Sequence, residues 1–152
     1  MMIEYYKIRQ NVRSPQRANP SDAGLDVFFC PEDNQGVAMT PGQSAVLGTG
    51  LRFGIPHGYM LEVKNRSSIA ARRSLLVGAH VIDSGYDGEV FVNLHNVGTD
   101  TQLVEPGQKI AQLVMIPIVA FRPVESGDES LYGWYPITIS DREDGALGST
   151  GE

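Results

Sequence analysis

The chain has 152 residues, 41% of them hydrophobic and 20% charged, and 18 acidic against 12 basic residues leave a formal net charge of −6. That is the size and composition of one globular domain, and the acidic balance excludes a generic nucleic-acid or membrane-surface binder, which carries a basic excess. The single cysteine, Cys30, excludes an intrachain disulfide framework and a cysteine zinc site.

Met1-Met2-Ile3-Glu4-Tyr5-Tyr6 carries an early acid and no apolar signal core, so the expectation is a cytoplasmic protein, in the host cell's cytoplasm if the chain is viral. Glycine and proline then punctuate the chain in clusters spaced for many short strands. Thr40-Pro41-Gly42-Gln43 reads as a type II turn, with glycine at the position of positive φ. Met60-Leu61-Glu62-Val63-Lys64 alternates apolar and polar side chains, the pattern of a half-buried strand. Ser67 to Leu76 is the one convincing helical stretch: Ser67 or Ser68 can cap it, and Ala70, Ala71, Arg72 and Arg73 are good helix formers. Val77 to Val90 reads as a β-hairpin, two apolar halves around a turn containing Asp83, Gly85, Tyr86 and Gly88. A partly alternating strand runs from Glu89 to Asn96. Glu105-Pro106-Gly107-Gln108 repeats the earlier turn and leads into a more buried strand, Ile110 to Ile118. This apolar stretch is broken by Gln112 and Pro117 and is too short to span a membrane. From Pro123 the chain turns polar and glycine-bearing. The expected organisation is therefore a barrel core over 1–122 and an extension over 123–152 whose end cannot bury itself, within one all-β domain with one short helix, a closed barrel or jelly roll.

Four stretches hold side chains suited to chemistry. At Asn65-Arg66-Ser67-Ser68 a strand end meets a helix start, where free N–H groups, two hydroxyls and a guanidinium can hold a phosphate chain. Asp83 ends an apolar strand, where a carboxylate half-withdrawn from water is placed to act as a general base, and Tyr86 can wall a ring-binding slot. His80 has no second histidine at ligand spacing, since His57 and His95 are scattered, and fits an ordinary structural hydrogen bond better than a metal. The tail can fold over phosphates, with Arg142 as a cationic clamp and Ser149 and Thr150 as hydroxyl donors. Taken singly, each stretch also has a plain reading: an N-cap, a simple hairpin, a loose terminus. No nucleophile elbow, Walker A pattern or dinucleotide fingerprint is present.

Taken in order, these pieces resemble the trimeric dUTPase family, within the dUTPase and dCTP deaminase superfamily. Ala23-Gly24-Leu25-Asp26 is similar to its A-G-x-D motif, and Arg66-Ser67-Ser68 to P-R-S-S, with Asn65 where proline is usual. Ile82-Asp83-Ser84-Gly85-Tyr86-Asp87-Gly88 matches I-D-x-x-Y-x-G, and Gly107-Gln108-Lys109-Ile110-Ala111-Gln112-Leu113 matches the fourth motif. Arg142 to Gly151 resembles the glycine-rich fifth, with Leu147 where the family carries phenylalanine and with Glu143 and Ala146 in place of glycines.

The resemblance implies a distorted jelly-roll in a homotrimer with shared active sites, hydrolysing dUTP to dUMP and pyrophosphate with Mg²⁺. It implies that Asp83 orients the attacking water and that Tyr86 stacks under the deoxyribose. Main-chain groups around His80, Val81, Ile82 and Phe91 would read uracil. Arg66, Ser67, Ser68 and Gln112 would hold phosphates or water, and Asp26 would reach the magnesium through its water shell. Arg142, Leu147, Gly148, Ser149 and Thr150 would close over a neighbouring subunit's site. The lid would lose the ~0.5–1.5 kcal/mol that an aromatic pair adds beyond area burial. No nucleic acid or membrane partner is implied. Ala79-His80-Val81-Ile82-Asp83-Ser84-Gly85-Tyr86 also resembles the dCTP deaminases, so deamination, alone or together with dUTP hydrolysis, is an alternative. There the acid–base glutamate falls at about Asn93, an amide that cannot do that work. A non-catalytic dUTP-binding regulatory module is the alternative of another class.

Overall fold

The computed structural model describes residues 1–127 and 131–135. Two compact units are distinguished, Met1–Ala120 and Phe121–Glu152.

The first unit contains β1 (Tyr5–Lys7), β2 (Leu25–Phe28), β3 (Val37–Met39), β4 (Ser44–Gly48), β5 (Leu51–Phe53), β6 (Tyr59–Lys64), α1 (Ser67–Arg73), β7 (Leu75–Val77), β8 (Val81–Asp83), β9 (Phe91–Asn96), β10 (Gln102–Val104) and β11 (Lys109–Pro117). Alternation decides which face each strand buries. In β6 Leu61 and Val63 turn inward, and in β9 Val92, Leu94 and Asn96 do so while Phe91 and His95 stay exposed. The strands form four antiparallel sheets, β1-β5, β10-β3, β2-β11-β6-β8 and β4-β9-β7, in an all-β fold of the jelly-roll type. Their inner faces share one core that includes Val27, Phe29, Met39, Leu47, Leu51, Leu94 and Leu113. Each fully buried side chain of this kind contributes roughly 1.5–3 kcal/mol.

Both proline–glycine turns form as the residues require. Gly42 has φ 82° and Gly107 φ 85°, and each turn closes with a hydrogen bond, Gln43 N–H to Thr40 C=O at 3.0 Å and Gln108 N–H to Glu105 C=O at 3.2 Å. The side chains of the buried Asn96 and Thr49 are hydrogen-bonded, whereas Nε of Arg9 and of Arg52 is buried with no hydrogen-bond partner among the described residues. Asn96 donates from Nδ2 to the carbonyls of Met39 and Asp100, and Thr49 Oγ1 donates to Val90 C=O.

Three expectations need correction. The helix ends at Arg73 rather than Leu76, because Ser74 takes a left-handed φ of 51° and Leu75 is drawn into β7. Its N-cap is Arg66, with no side-chain cap hydrogen bond, so neither Ser67 nor Ser68 caps it. The helix is instead tied from its last turn, where Arg73 donates to Gln102 Oε1, Gln108 Oε1 and Leu103 C=O.

The third correction concerns the hairpin. The strand pairing observed lies at and beyond its margin: β7 pairs with β9 (Val77↔Leu94), and Gly78 N–H donates to Asn93 C=O at 2.9 Å. Beyond Gly78 the halves part. β8 crosses to pair with β6 (Leu61↔Ile82), while β9 stays against β4 (Gly48↔Phe91). The two apolar halves are claimed by different sheets, because the edge of β6 offers β8 a ladder of its own.

In the second unit, residues 121–127 and 131–135 form no helix or strand. Phe121, Val124, Leu131, Trp134 and Tyr135 are exposed.

Candidate functional site

The gap left where the hairpin parts is a slot of about 210 Å³, lined by Val63, Ala79, His80, Val81, Ile82, Asp83, Tyr86, Glu89, Val90 and Phe91. Its walls are strand edges. β8 is the outer strand of its sheet, hydrogen-bonded to β6 on one side only. Since His80 C=O accepts from Val63 N–H, the alternation of an antiparallel ladder turns the main-chain groups of Val81 towards the slot. On the opposite wall Asn93 C=O faces β7, so Phe91, two residues earlier, presents its own N–H and C=O where β7 no longer reaches. The slot therefore offers backbone donors and acceptors between apolar side chains, the make-up of a site for a flat heterocycle.

The turn at its end is set by Gly85, with φ 90°, and by a hydrogen bond from Tyr86 N–H to Asp83 C=O at 3.2 Å. Tyr86 is fixed by its hydroxyl, which donates to Glu89 C=O at 2.8 Å. His80 makes the structural bond anticipated for it, Nδ1 lying 3.1 Å from Gly78 C=O. Asp83 is exposed, not half-withdrawn from water, because an edge strand three residues long covers nothing beyond its own sheet.

A second cavity, of about 260 Å³, is lined by Ala18, Asp22, Ala23, Gly24, Asp26, Arg66, Ser67, Ser68 and Gln112. Register assembles it. On β11, Gln112 is paired with Asp26 of β2 on one side and with Lys64 of β6 on the other, and Arg66 lies just beyond the end of β6. Asp26 is nearly buried between two cations: Arg66 Nε donates to Oδ1 and Lys109 Nζ to Oδ2, both at 2.8 Å. Gln112 Nε2 donates to Asn65 C=O at 2.9 Å. This requires the bare Cα of Gly24, since a Cβ there would stand 2.2 Å from Gln112 Oε1. Beside the carboxylates of Asp22 and Asp26, the cavity is lined by two hydroxyls, an amide and a guanidinium, donors able to hold an anion carrying several oxygens.

Among the described residues no three His, Cys, Asp or Glu side chains converge to hold a metal ion. Both oxygens of Asp26 are already engaged. The donor set suits a magnesium ion that arrives on phosphate oxygens and keeps several waters, one of which Asp26 can accept from.

The structure thus divides the sequence-derived residues into two groups. Asp26, Arg66, Ser67, Ser68 and Gln112 share the polar cavity; His80, Val81, Ile82, Asp83, Tyr86 and Phe91 share the slot. Asp83 does not line the cavity that holds the anion donors. Arg142, Leu147, Gly148, Ser149 and Thr150 lie outside the described residues. Reading the sequence missed Asp22 at the cavity rim, Lys109 as partner of Asp26, and Glu89 at the slot. Lys109 could have been found, since it stands in the fourth motif.

The protein as a whole is similar to known proteins of one family. The family model for dUTPase matches residues 10–133. The deoxyuridine 5'-triphosphate nucleotidohydrolase of Chlamydia trachomatis is 35% identical over 150 residues, 97% of this protein and 97% of its own length. That of Cutibacterium acnes is 38% identical over 142 residues, 90% of this protein and 84% of its own length. Among solved structures, the dUTPase of Staphylococcus bacteriophage 80alpha with dUpNHpp aligns at a TM-score of 0.78, with 25% identity over 99% of both proteins. The dUTPase of phage phi11 of S. aureus, described for its coordination of a structural Mg(II) ion, aligns at 0.76 with 25% identity, covering 86% of this protein and 100% of its own length.

Proposed function

The protein belongs to the dUTPase family and is a dUTP diphosphatase, and from that premise we propose that it cleaves dUTP to dUMP and pyrophosphate in sites assembled between copies of itself. One observation carries the assembly: the carboxylate suited to activating water and the donors suited to phosphate belong to different cavities of one protomer. A site containing both then takes the slot from one copy and the polar cavity from another, in a homotrimer.

In this reading uracil enters the slot and is read by main-chain groups of Val81 and Phe91, with His80 and Ile82 beside it. Tyr86 walls the deoxyribose. Arg66, Ser67, Ser68 and Gln112 bind the phosphates, and Asp26 accepts from a water of the accompanying magnesium. That ion, when bound, offsets phosphate charge that a protein of net charge −6 would repel. Asp83 accepts the proton of a water whose oxygen attacks the α-phosphorus. The bond from that phosphorus to the bridging oxygen breaks, and pyrophosphate leaves with the electron pair. Arg142, Leu147, Gly148, Ser149 and Thr150 close the site as an arm from a neighbouring copy, within a core of 1–122 and an extension of 123–152. The cytoplasm is proposed as the enzyme's location; as a separate observation, no helix among the described residues is long and apolar enough to cross a membrane.

Two experiments test this. Pyrophosphate release from dUTP, dCTP, dTTP and UTP with Mg²⁺ is expected from dUTP, giving dUMP, with the others slower by about 10² or more. Deaminated product from dCTP would overturn the reading. Mixing Asp83→Asn protomers with Arg66→Ala protomers, each inactive alone, is expected to restore turnover, because mixed trimers contain sites with both native residues. Absence of recovery would show that each protomer builds its own site.

A further inference from the structure

The slot's width is set at the point where the hairpin parts, and one side chain outside the slot holds that point. Asn93 sits on the outer face of β9 and uses both ends of its amide. Oδ1 accepts from Ala79 N–H at 3.3 Å and lies 2.9 Å from His95 Nε2, while Nδ2 donates to Ala45 C=O at 3.3 Å. Because the NH₂ is committed to Ala45, the imidazole is the donor in the contact with His95. The backbone carbonyl of the same residue accepts from Gly78 N–H at 2.9 Å. Packing here is close: a Cβ on Gly78 would stand 2.3 Å from Asn93 Oδ1 and 2.4 Å from His95 Nε2. Gly78 C=O, in turn, meets His80 Nδ1 at 3.1 Å. Residues 78, 79 and 80 are thus tied to Asn93 directly or through one step, just before the backbone crosses to β6.

We propose that Asn93 is a positioning residue for base selection, fixing the Gly78–Val81 backbone on which discrimination among pyrimidines depends. The inference rests on the reading of the slot as the base site. It needs an amide, because the position calls for one acceptor, towards Ala79 and His95, and one donor, towards Ala45. Leucine offers neither. Aspartate keeps the acceptor but turns a second oxygen towards the Ala45 carbonyl. Asp83, at the far end of β8, is held by pairing with Met60 and by its own turn, outside this network. Loosening Asn93 therefore disturbs recognition of the base more than the chemical step.

The test is steady-state kinetics of wild type, Asn93→Leu and Asn93→Asp on dUTP, dCTP and dTTP, with melting temperatures recorded alongside. In Asn93→Leu the ratio of kcat/KM for dUTP to that for dCTP and dTTP is expected to fall by about tenfold, chiefly through KM for dUTP, while kcat at saturating dUTP falls less than about threefold. Asn93→Asp should lie between the two. If Asn93→Leu does not fold, the same fall in selectivity is read from Asn93→Asp and His95→Gln. A folded variant with loss of activity on all three nucleotides in equal proportion, or with unchanged selectivity, would overturn the proposal alone. A wild-type enzyme without preference for dUTP would overturn both the proposal and the reading of the slot.

Discussion

Asp83→Asn is expected to lower kcat for dUTP by about 10³-fold, within the range that a positioned general base supplies, while the nucleotide still binds. The substitution is nearly isosteric. What holds the residue in place is backbone: pairing with Met60 across the edge of β6 and the Tyr86 N–H bond to its own carbonyl. No described ion pair depends on its carboxylate, so the fold has nothing to lose there. An amide oxygen can still point at a water but cannot take its proton. Single-turnover pyrophosphate release separates the step from binding, which calorimetry with a non-hydrolysable analogue measures in parallel. Full activity in this variant would remove Asp83 from the chemistry and leave the slot as a recognition element only.

Glu89→Leu is expected to cost about 3 kcal/mol of stability, at the low end for breaking a buried pair by removal of one partner. The carboxylate accepts from Arg9 Nη2 at 2.9 Å and from Gly50 N–H at 2.7 Å, joining the end of the parted hairpin to the N-terminal segment and the β4–β5 connection. The side chains of Arg9 and Glu89 are 20% and 15% exposed, which leaves each charge some water and sets the low end of the range. Arg9 also donates to Cys30 C=O, and its Nε is already buried with no hydrogen-bond partner among the described residues. Deleting Glu89 strands most of that guanidinium. A fall of roughly 10 °C in Tm follows for a protein of this size. The double variant Arg9→Met with Glu89→Leu should recover much of the loss, because a matched apolar pair removes the orphaned charge. Scanning calorimetry of the two single variants and the double reads this directly.

Local chemistry was legible in the sequence. The Pro-Gly turns at 41–42 and 106–107, the alternation of 60–64 and the helix start after Arg66 each follow from a few adjacent residues, and each forms. What escaped was non-local. Nothing near Val81 announces that it will pair with Glu62 rather than fold back on β9, since an apolar strand half is equally suited to either neighbour. The Arg9–Glu89 pair spans 80 positions, and neither residue has a pattern around it that signals the other. The same holds for Asp26. Its place in a motif marks it as important, but its two cationic neighbours come from strand register. Asp83 shows the limit from the other side: its place at the end of a short strand is legible, whereas its exposure depends on β8 being the last strand of its sheet.

That last strand has one further consequence. A uracil ring carries C=O and N–H groups along one edge in alternation, much as a peptide backbone does. Lying between Val81 on β8 and Phe91 on β9, it would stand where an additional strand would run, joined on each side to a sheet that ends there. The occupied slot is then a splice between two sheets whose selvedges would otherwise be satisfied by solvent. The nucleotide would complete the weave as well as undergo reaction, so binding should stiffen β8 along its whole length.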